Sequence, residues 1–486
     1  KAKDFERALT VLESDMSRHP ITERANFYFT MFQDCPEDIL ERHMGASFKY
    51  AIAAFSAGDF SAFGARMAWL AKRCAAMPPG KEADHWRGEL HVLQALAEFN
   101  DIEAMSRHHK MALALLKAPT SLYGADSAWA LGSPSVLFMF YRESGKLKDA
   151  QRLMHECMPT YYQLTSYHGA GAEYLMETEA LYNAGEFAKA GEACQTALAK
   201  AARHNQIGNM FCAMFLQIRL ALLAGDATAL FGREAQLGLL ADMRGLIARN
   251  RDFFLLHTAD LCEGWLYATL GLYKKIPPWL RSELSEESRL YAFAKGCYYI
   301  VHGRAQLLAG EYFKLIGQFS GMLLAGAFSK NLLFFVYAHI YLAAAHEKTG
   351  QSQKAATTLN IALSVALPDA LYMPFVENYD LIGPLLTKNL SGKNDQQALS
   401  RIEALAQQMK AGSESVLKKI QALRQLWGLT PREFEAALLI GKGLSYQQIA
   451  DKMCVSVNTL KTHLQSITRK SGVSRRKGLY EIFRKD

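Results

Sequence analysis

The sequence predicts an all-α protein, in which a long stack of helix hairpins precedes a small C-terminal helical domain with a cationic face. Three observations carry this expectation. Proline is scarce, at 13 of 486 residues, and half of the chain is hydrophobic, with Ala and Leu abundant, a balance that favours packed helices. A glycine-centred signature recurs about every forty residues. The excess positive charge is concentrated near the C-terminus: the residues from Arg424 to Asp486 hold twelve Lys and Arg against five Asp and Glu, hence +7 of the net +8.

The repeat comes first in the chain. A small residue, a glycine, often an acid and often an aromatic appear together at Gly58, Gly145, Gly185, Gly225, Gly271, Gly310 and Gly350. From Gly145 onward the gaps are 40, 40, 46, 39 and 40 residues. Asn100, in Phe-Asn-Asp-Ile, falls midway in the one double gap, and Asn also tolerates a left-handed backbone. Glycine suits the position just past a helix C-terminus, where φ is positive. A following acid suits the positive end of the next helix. The flanks carry helical apolar spacing, as in Ala190, Cys194, Ala197 and Ala201. The segment from Gly208 to Gly225 is apolar almost all round, so it should lie between neighbours. These features predict an α-solenoid related to tetratricopeptide arrays over residues 1–388, a right-handed superhelix of eight or nine hairpins. Such arrays expose a concave surface that serves binding more often than catalysis.

One region departs from the Ala/Leu pattern. Residues 121–140 and 161–182 are rich in Tyr, Trp, Gly and His. Aromatic faces with a few polar groups suit a sugar or another small polar ligand. Tyr123, Asp126, Trp129, Tyr161, Tyr162, His168 and Glu173 are the candidate effector-binding residues. The competing reading is that they cap helices and fill gaps between wide repeats.

Residues 389–428 read as a linker, Leu390 to Asp395, followed by connecting helices at about 396–410 and 414–426. Residues 429–486 then form the C-terminal domain. Thr430 caps a helix with Pro431 at its first position and Glu433 closing a capping box. Phe434, Ala437, Leu438 and Gly441 form its inner face, and Gly443 ends it. Ser445 and Gln448 make a second capping box, with Ile449, Ala450 and Met453 turned inward. Cys454 and Val455 make the turn, and Ser456 caps a third helix. On that helix Leu460, Leu464 and Ile467 share one face. Asn458, Thr462, Gln465 and Arg469 share the other, flanked by Lys461. Short hydrogen-bonding groups for base edges and cations for phosphates are what a major-groove helix requires. Salt-sensitive affinity is expected from Lys452, Lys461, Arg469, Lys470, Arg475 and Arg476. A plain amphipathic helix and a solubilising basic tail would share some of these features. The short turn, both caps and small Ala450 together favour double-stranded DNA as the partner.

The stretches LTPRE, GLSYQQIA, NTLKTHL and ITRKSGV closely resemble the helix-turn-helix domain of LuxR-type (NarL/FixJ or GerE) regulators over about residues 430–485, without a gap. The resemblance implies a four-helix DNA-binding domain whose last helix, near Arg475 to Phe483, pairs two copies on DNA as a homodimer. By position, Lys461, Thr462 and Gln465 would reach base edges, while Asn458, Thr459 and His463 would lie near the backbone. Two departures stand out: Ser471 replaces a usual Leu, and Ala436–Ala437 replace bulkier residues. Both would loosen the small core without removing a DNA-contacting position. A helical array followed by this domain resembles the MalT-type large regulators, which carry a nucleotide-binding domain ahead of the array. No Gly-x-x-x-x-Gly-Lys-Ser/Thr occurs in this sequence. The expectation is that such a domain was removed from this chain; the other reading is that the protein has none.

Other chemistry finds little support. The eight cysteines are dispersed without a Cys-x-x-Cys, as buried, reduced thiols of a cytoplasmic protein would be. His108 and His109 are adjacent and point about 100° apart on a helix, so they read as solvated side chains. His155 and Cys157 lack further partners at metal spacing, and no Gly-x-Ser-x-Gly elbow occurs. No signal peptide is evident. The longest apolar run, Leu332 to Ala345, is interrupted by His339 and falls short of the roughly 20 residues a membrane span needs. The expectation is a cytoplasmic transcription regulator, not an enzyme, with no cofactor in this chain, no metal and no membrane partner. Its array would sense a small-molecule or protein effector. The alternative is an interaction scaffold in which the C-terminal helices serve assembly.

Overall fold

The computed structural model describes residues 4–14, 16, 25–124, 127, 129–231, 238–250, 255–285, 290–326, 331–390, 393–426, 428–441 and 443–471. Among them the regular structure is helical, with no strand. All seven signature glycines take positive φ, from 67° at Gly225 to 84° at Gly58, and Asn100 joins them at 69°. Gly58 shows why. Its N–H donates to Phe55 O at 3.0 Å and the Asp59 N–H to Ala54 O at 2.9 Å, closing the last turn in a left-handed cap. The Asp59 carboxylate then accepts from Ala62 N at 2.9 Å and opens the next helix. Asp101 and Asp226 repeat that last step on Ala104 and Ala229. Glu186 and Glu311 make no such bond. The acid therefore caps only where it is the shorter Asp.

Five pairs form full-length hairpins among the described residues. They are Met44–Ala57 with Phe60–Ala76, Lys81–Ala97 with Ile102–Leu116, Ala172–Asn183 with Phe187–Arg203, Lys295–Ala309 with Tyr312–Leu324, and Leu332–Lys348 with Ser352–Ala366. Elsewhere the period survives but an arm shortens. The arm before Gly145 is only Val136–Phe140, and the described part of the arm after Gly225 is Ala227–Phe231. After Gly271 the chain makes a short turn and a single helical turn, Pro278–Arg281, where two prolines remove backbone donors. This order of pairs is consistent with a stacked array. The apolar segment after Gly208 is the helix Ile207–Leu223, packed among several neighbours as expected. By length and composition alone Ile207–Ala224 could cross a membrane, and most of it is buried inside the protein.

The array also folds back on itself, which a stack of nearest neighbours does not require. Asp369 accepts from Tyr141 Oη at 2.8 Å, Gly145 N at 2.6 Å and Leu147 N at 2.9 Å, across more than 220 residues of chain. Glu377, 5% exposed, ties four further helices together. Its carboxylate accepts from Arg219 at 2.7 Å, Tyr337 Oη at 2.6 Å, Tyr182 Oη at 3.0 Å and Trp265 Nε1 at 3.2 Å. The Arg219 guanidinium lies over the Tyr182 ring at 4.1 Å, with Trp265 and Phe215 at 5.3 and 5.4 Å. Burial works against its charge, and Glu377 more than restores it.

The connecting region differs from expectation. In place of two helices there is one, Lys393–Leu426, of 34 residues. It docks on the array from Leu399 to Ile420, through buried Ile402, Leu405, Ala406, Met409 and Val416. Arg401 donates to the carbonyls of Ala184 and Gly185, and Ser415 to that of Gly225, so two hairpin turns rest on this helix. The gap expected between helices at about 396–410 and 414–426 contains Gly412, and glycine weakens a helix. The reason for this glycine is close approach: a Cβ there would lie 2.2 Å from Leu222 O and 2.7 Å from Leu223 O.

Candidate nucleic-acid interface

The C-terminal domain has its own core of Leu429, Phe434, Ala436, Ala437, Ile440, Ile449, Ala450, Met453, Leu460, Leu464 and Ile467. Its described helices are Pro431–Gly441, Tyr446–Met453 and Val457–Ser471. Each begins as its sequence dictates. Glu433 N donates to Thr430 Oγ1 at 3.3 Å while Thr430 N donates to Glu433 Oε2 at 2.6 Å. Ser445 and Gln448 form the second reciprocal pair, at 3.2 and 2.9 Å. Thr459 N donates to Ser456 Oγ at 3.0 Å.

The turn between the second and third helices is tight. Cys454 takes φ 53°, and Val455 N donates back to Ala450 O at 3.0 Å. Its thiol is exposed rather than packed, because a left-handed residue at a helix end points outward. Six of the other cysteines are buried and Cys157 is partly so. Ala436 and Ala437 are fully buried, so the core closes over the small side chains; Leu438 packs against this core as expected, and Ile440, not named from sequence, is fully buried in it. The side chain of Ser471 lies outside the described residues.

The third helix presents two opposite faces. Leu460, Leu464 and Ile467 are buried. Asn458, Thr459, Lys461, Thr462, Gln465 and Arg469 are exposed, and His463 is half-buried at the margin. The structure thus brings seven of the predicted DNA-binding residues onto one outward surface. Lys470 is also exposed, and its Nζ lies 2.6 Å from the buried Glu433 carboxylate. It braces the third helix against the first and is engaged before any phosphate arrives. Arg475, Arg476 and the expected last helix lie outside the described residues.

Burial raises the Glu433 pKa, but bonds from Lys470, Ser466 and Thr430 outweigh it and hold the carboxyl at about 2. A carboxyl held low stabilises the fold fully above its ordinary value of 4.5 and loses that contribution as pH falls from there toward 2. Glu433→Gln is expected to cost about 1–3 kcal/mol at neutral pH, through a weakened capping box and an unpaired Lys470. Hydrogen exchange of the Pro431–Gly441 amides in the full chain reads it. The wild type should lose protection progressively below about pH 4.5 and match the variant only near pH 2.

The predicted effector residues divide into two groups. Tyr123, Trp129, Tyr161 and His168 line one cavity. Tyr162 and Glu173 do not join them. Tyr162 Oη donates to Glu173 at 2.5 Å, Lys200 Nζ donates to the other oxygen at 2.5 Å, and Lys200 sits 4.6 Å over the Tyr162 ring. Consecutive residues on a helix point about 100° apart, so Tyr161 faces the cavity and Tyr162 a separate, self-satisfied cluster. Asp126 lies outside the described residues. The sequence reading missed His109, Met105, Met154 and Met158, which also line the cavity. Their signal was present: Met154, Met158 and Tyr161 share a face, as do Ile102, Met105 and His109. His109 is 7% exposed, not solvated, and His108 instead meets His91, Nδ1 to Nδ1, at 3.1 Å. Among the described residues no three metal-binding side chains come together.

A helix anchored by one face, outwardly polar and cationic, and joined to a capped partner by a tight turn defines a helix-turn-helix DNA-binding module. Residues 428–483 match the family described as GerE, bacterial regulatory proteins of the luxR family. The C-terminal part of the chain is thus a LuxR-family helix-turn-helix domain, the module of DNA-binding transcription regulators. No curated protein matches the chain.

Proposed function

We propose that the protein is a cytoplasmic, sequence-specific transcription regulator that acts by binding rather than catalysis. In this reading the helical array responds to an effector and controls the DNA-reading domain through the helix Lys393–Leu426. The observation that carries DNA readout is the exposed row of Asn458, Lys461, Thr462, Gln465 and Arg469 on a helix whose other side is fully buried. Two copies would read a two-fold site. The docking of Lys393–Leu426 on two hairpin turns supports control by the array.

The test is selection of the full chain against a random-site DNA pool, followed by fluorescence anisotropy on the enriched sequence. Gln465→Ala is expected to reduce discrimination by about 1–3 kcal/mol at one base position, with little effect on non-specific binding. Equal affinity for all sequences in both proteins would remove the specific-readout claim. A second reading, an interaction scaffold, is favoured by one surface. Phe313 and Leu324 are 75% and 89% exposed on the helix Tyr312–Leu324, beside Gly317 and Gly321 with open space around them. Exposed apolar groups of this kind mark protein contacts. Under that reading Gln465→Ala would leave all binding unchanged.

A further inference from the structure

The cavity that gathers Tyr123, Trp129, Tyr161 and His168 lies where the helices Met44–Ala57, Lys81–Ala97 and Ile102–Leu116 meet Val136–Phe140 and Leu147–Thr165. Its volume is about 100 Å³ and it opens to solvent at a mouth, smaller than the roughly 300–1,000 Å³ of drug-sized sites and close to that of a cavity which takes one small aromatic ring. Its walls are apolar and adaptable: Met105, Met139, Met154 and Met158 stand among Phe55, Phe99 and Trp129. None of the described lining residues is Asp, Glu, Lys or Arg.

The polar groups that do line it are mostly consumed by one another. Tyr161 Oη donates to His168 Nδ1 at 2.7 Å, and His168 Nε2 donates to the Ser127 carbonyl at 3.0 Å. These bonds fix one neutral tautomer of His168. Burial lowers His168 to about 4 and His109 to about 3, and pushes the Tyr123 and Tyr161 hydroxyls up. All four are uncharged at neutral pH. His109 stands apart. It is 93% buried, its ring lies 4.9 Å from that of Tyr161, and it lines the cavity. A neutral imidazole there can donate one hydrogen bond and accept another.

We propose that this cavity binds an uncharged, largely apolar molecule with an aromatic or fused ring and one hydrogen-bonding group that meets His109. That differs from the sugar or other small polar ligand expected from sequence, and it rests on the reading of the array as a sensor. A sugar presents hydroxyls all round its ring, and each one left unmatched against Met and Phe walls is unfavourable. An ion of either sign would find no countercharge on the described walls.

The probe is indole, a small neutral aromatic molecule that carries one N–H, with binding followed by isothermal titration calorimetry. Titrated into the full chain, it should saturate at one molecule per chain. Cys157→Trp, which fills the cavity from a partly exposed wall position, should weaken it about tenfold or more. Met105→Trp serves the same purpose if the first variant misfolds, as judged by circular dichroism. His109→Leu should weaken it about fivefold, the worth of one hydrogen bond. Non-saturable binding, or affinity unchanged in folded cavity-filling variants, would overturn the proposal. So would saturation by glucose that excludes the probe, although the sensor reading would then survive. DNA anisotropy with and without the probe tests that reading separately. A bound probe that leaves DNA affinity unchanged upholds the ligand class and removes the sensor role.

Discussion

Glu377→Gln is expected to destabilise the array by about 3–5 kcal/mol, the usual consequence of stranding one partner of a buried ion pair. Arg219 would keep its charge with about 6% of its surface exposed, and its Nε already lacks a partner. The substituted amide would also turn an NH2 group toward donors where a carboxylate now accepts four hydrogen bonds. Guanidinium denaturation of the full chain, followed by tryptophan fluorescence and by circular dichroism, gives the measurement. Trp265 reports the hub directly. The double variant Glu377→Leu with Arg219→Met should recover much of the loss, because removing both charges removes the stranded one. A change below about 1 kcal/mol in the single variant would mean that water reaches the hub.

Gly412→Ala should act on the link between the two parts. In a free helix this change is stabilising by about 1 kcal/mol. Here the added Cβ would overlap the Leu222 carbonyl oxygen at 2.2 Å, and backbone gives way less readily than a side chain. The helix Lys393–Leu426 must therefore lift from the end of Ile207–Leu223, disturbing the Ser415 bond to Gly225 beside it. The expected result is loss of hydrogen-exchange protection along residues 401–416, at a cost of roughly 1–3 kcal/mol. DNA affinity of the full chain should shift as well, with the core of the C-terminal domain unchanged. Unaltered protection would show that the docked arrangement is not held where Gly412 sits.

The features legible in the sequence are those decided by neighbours in the chain. The left-handed caps at Gly58 to Gly350 follow from local sterics. So do the capping boxes at Thr430 and Ser445, and the two faces of Val457–Ser471. What was not legible depends on groups far apart. Nothing near Glu377 announces that it will meet Arg219, which lies 158 residues earlier. Gly412 falls in the gap between two expected helices, and the carbonyls it approaches belong to residues 222 and 223. Lys470 reads as a phosphate ligand alone until Glu433 is seen beside it. The cavity was half legible. Aromatic clustering named Tyr123, Trp129, Tyr161 and His168, while the methionines and His109 were hidden in ordinary apolar stripes.

The single helix from Lys393 to Leu426 has a mechanical meaning. Thirty-four residues at about 1.5 Å each make a strut of about 50 Å. Docked on the array from Leu399 to Ile420, it would move with the array as one rod. A tilt of about 5° over its docked length of about 30 Å would shift the far end by about 2.5 Å. On a DNA duplex, that displacement is enough to move a side chain out of hydrogen-bonding range of one base edge. A small slackening inside the array could thus appear at the far end as a change of register on DNA, with no unfolding anywhere between.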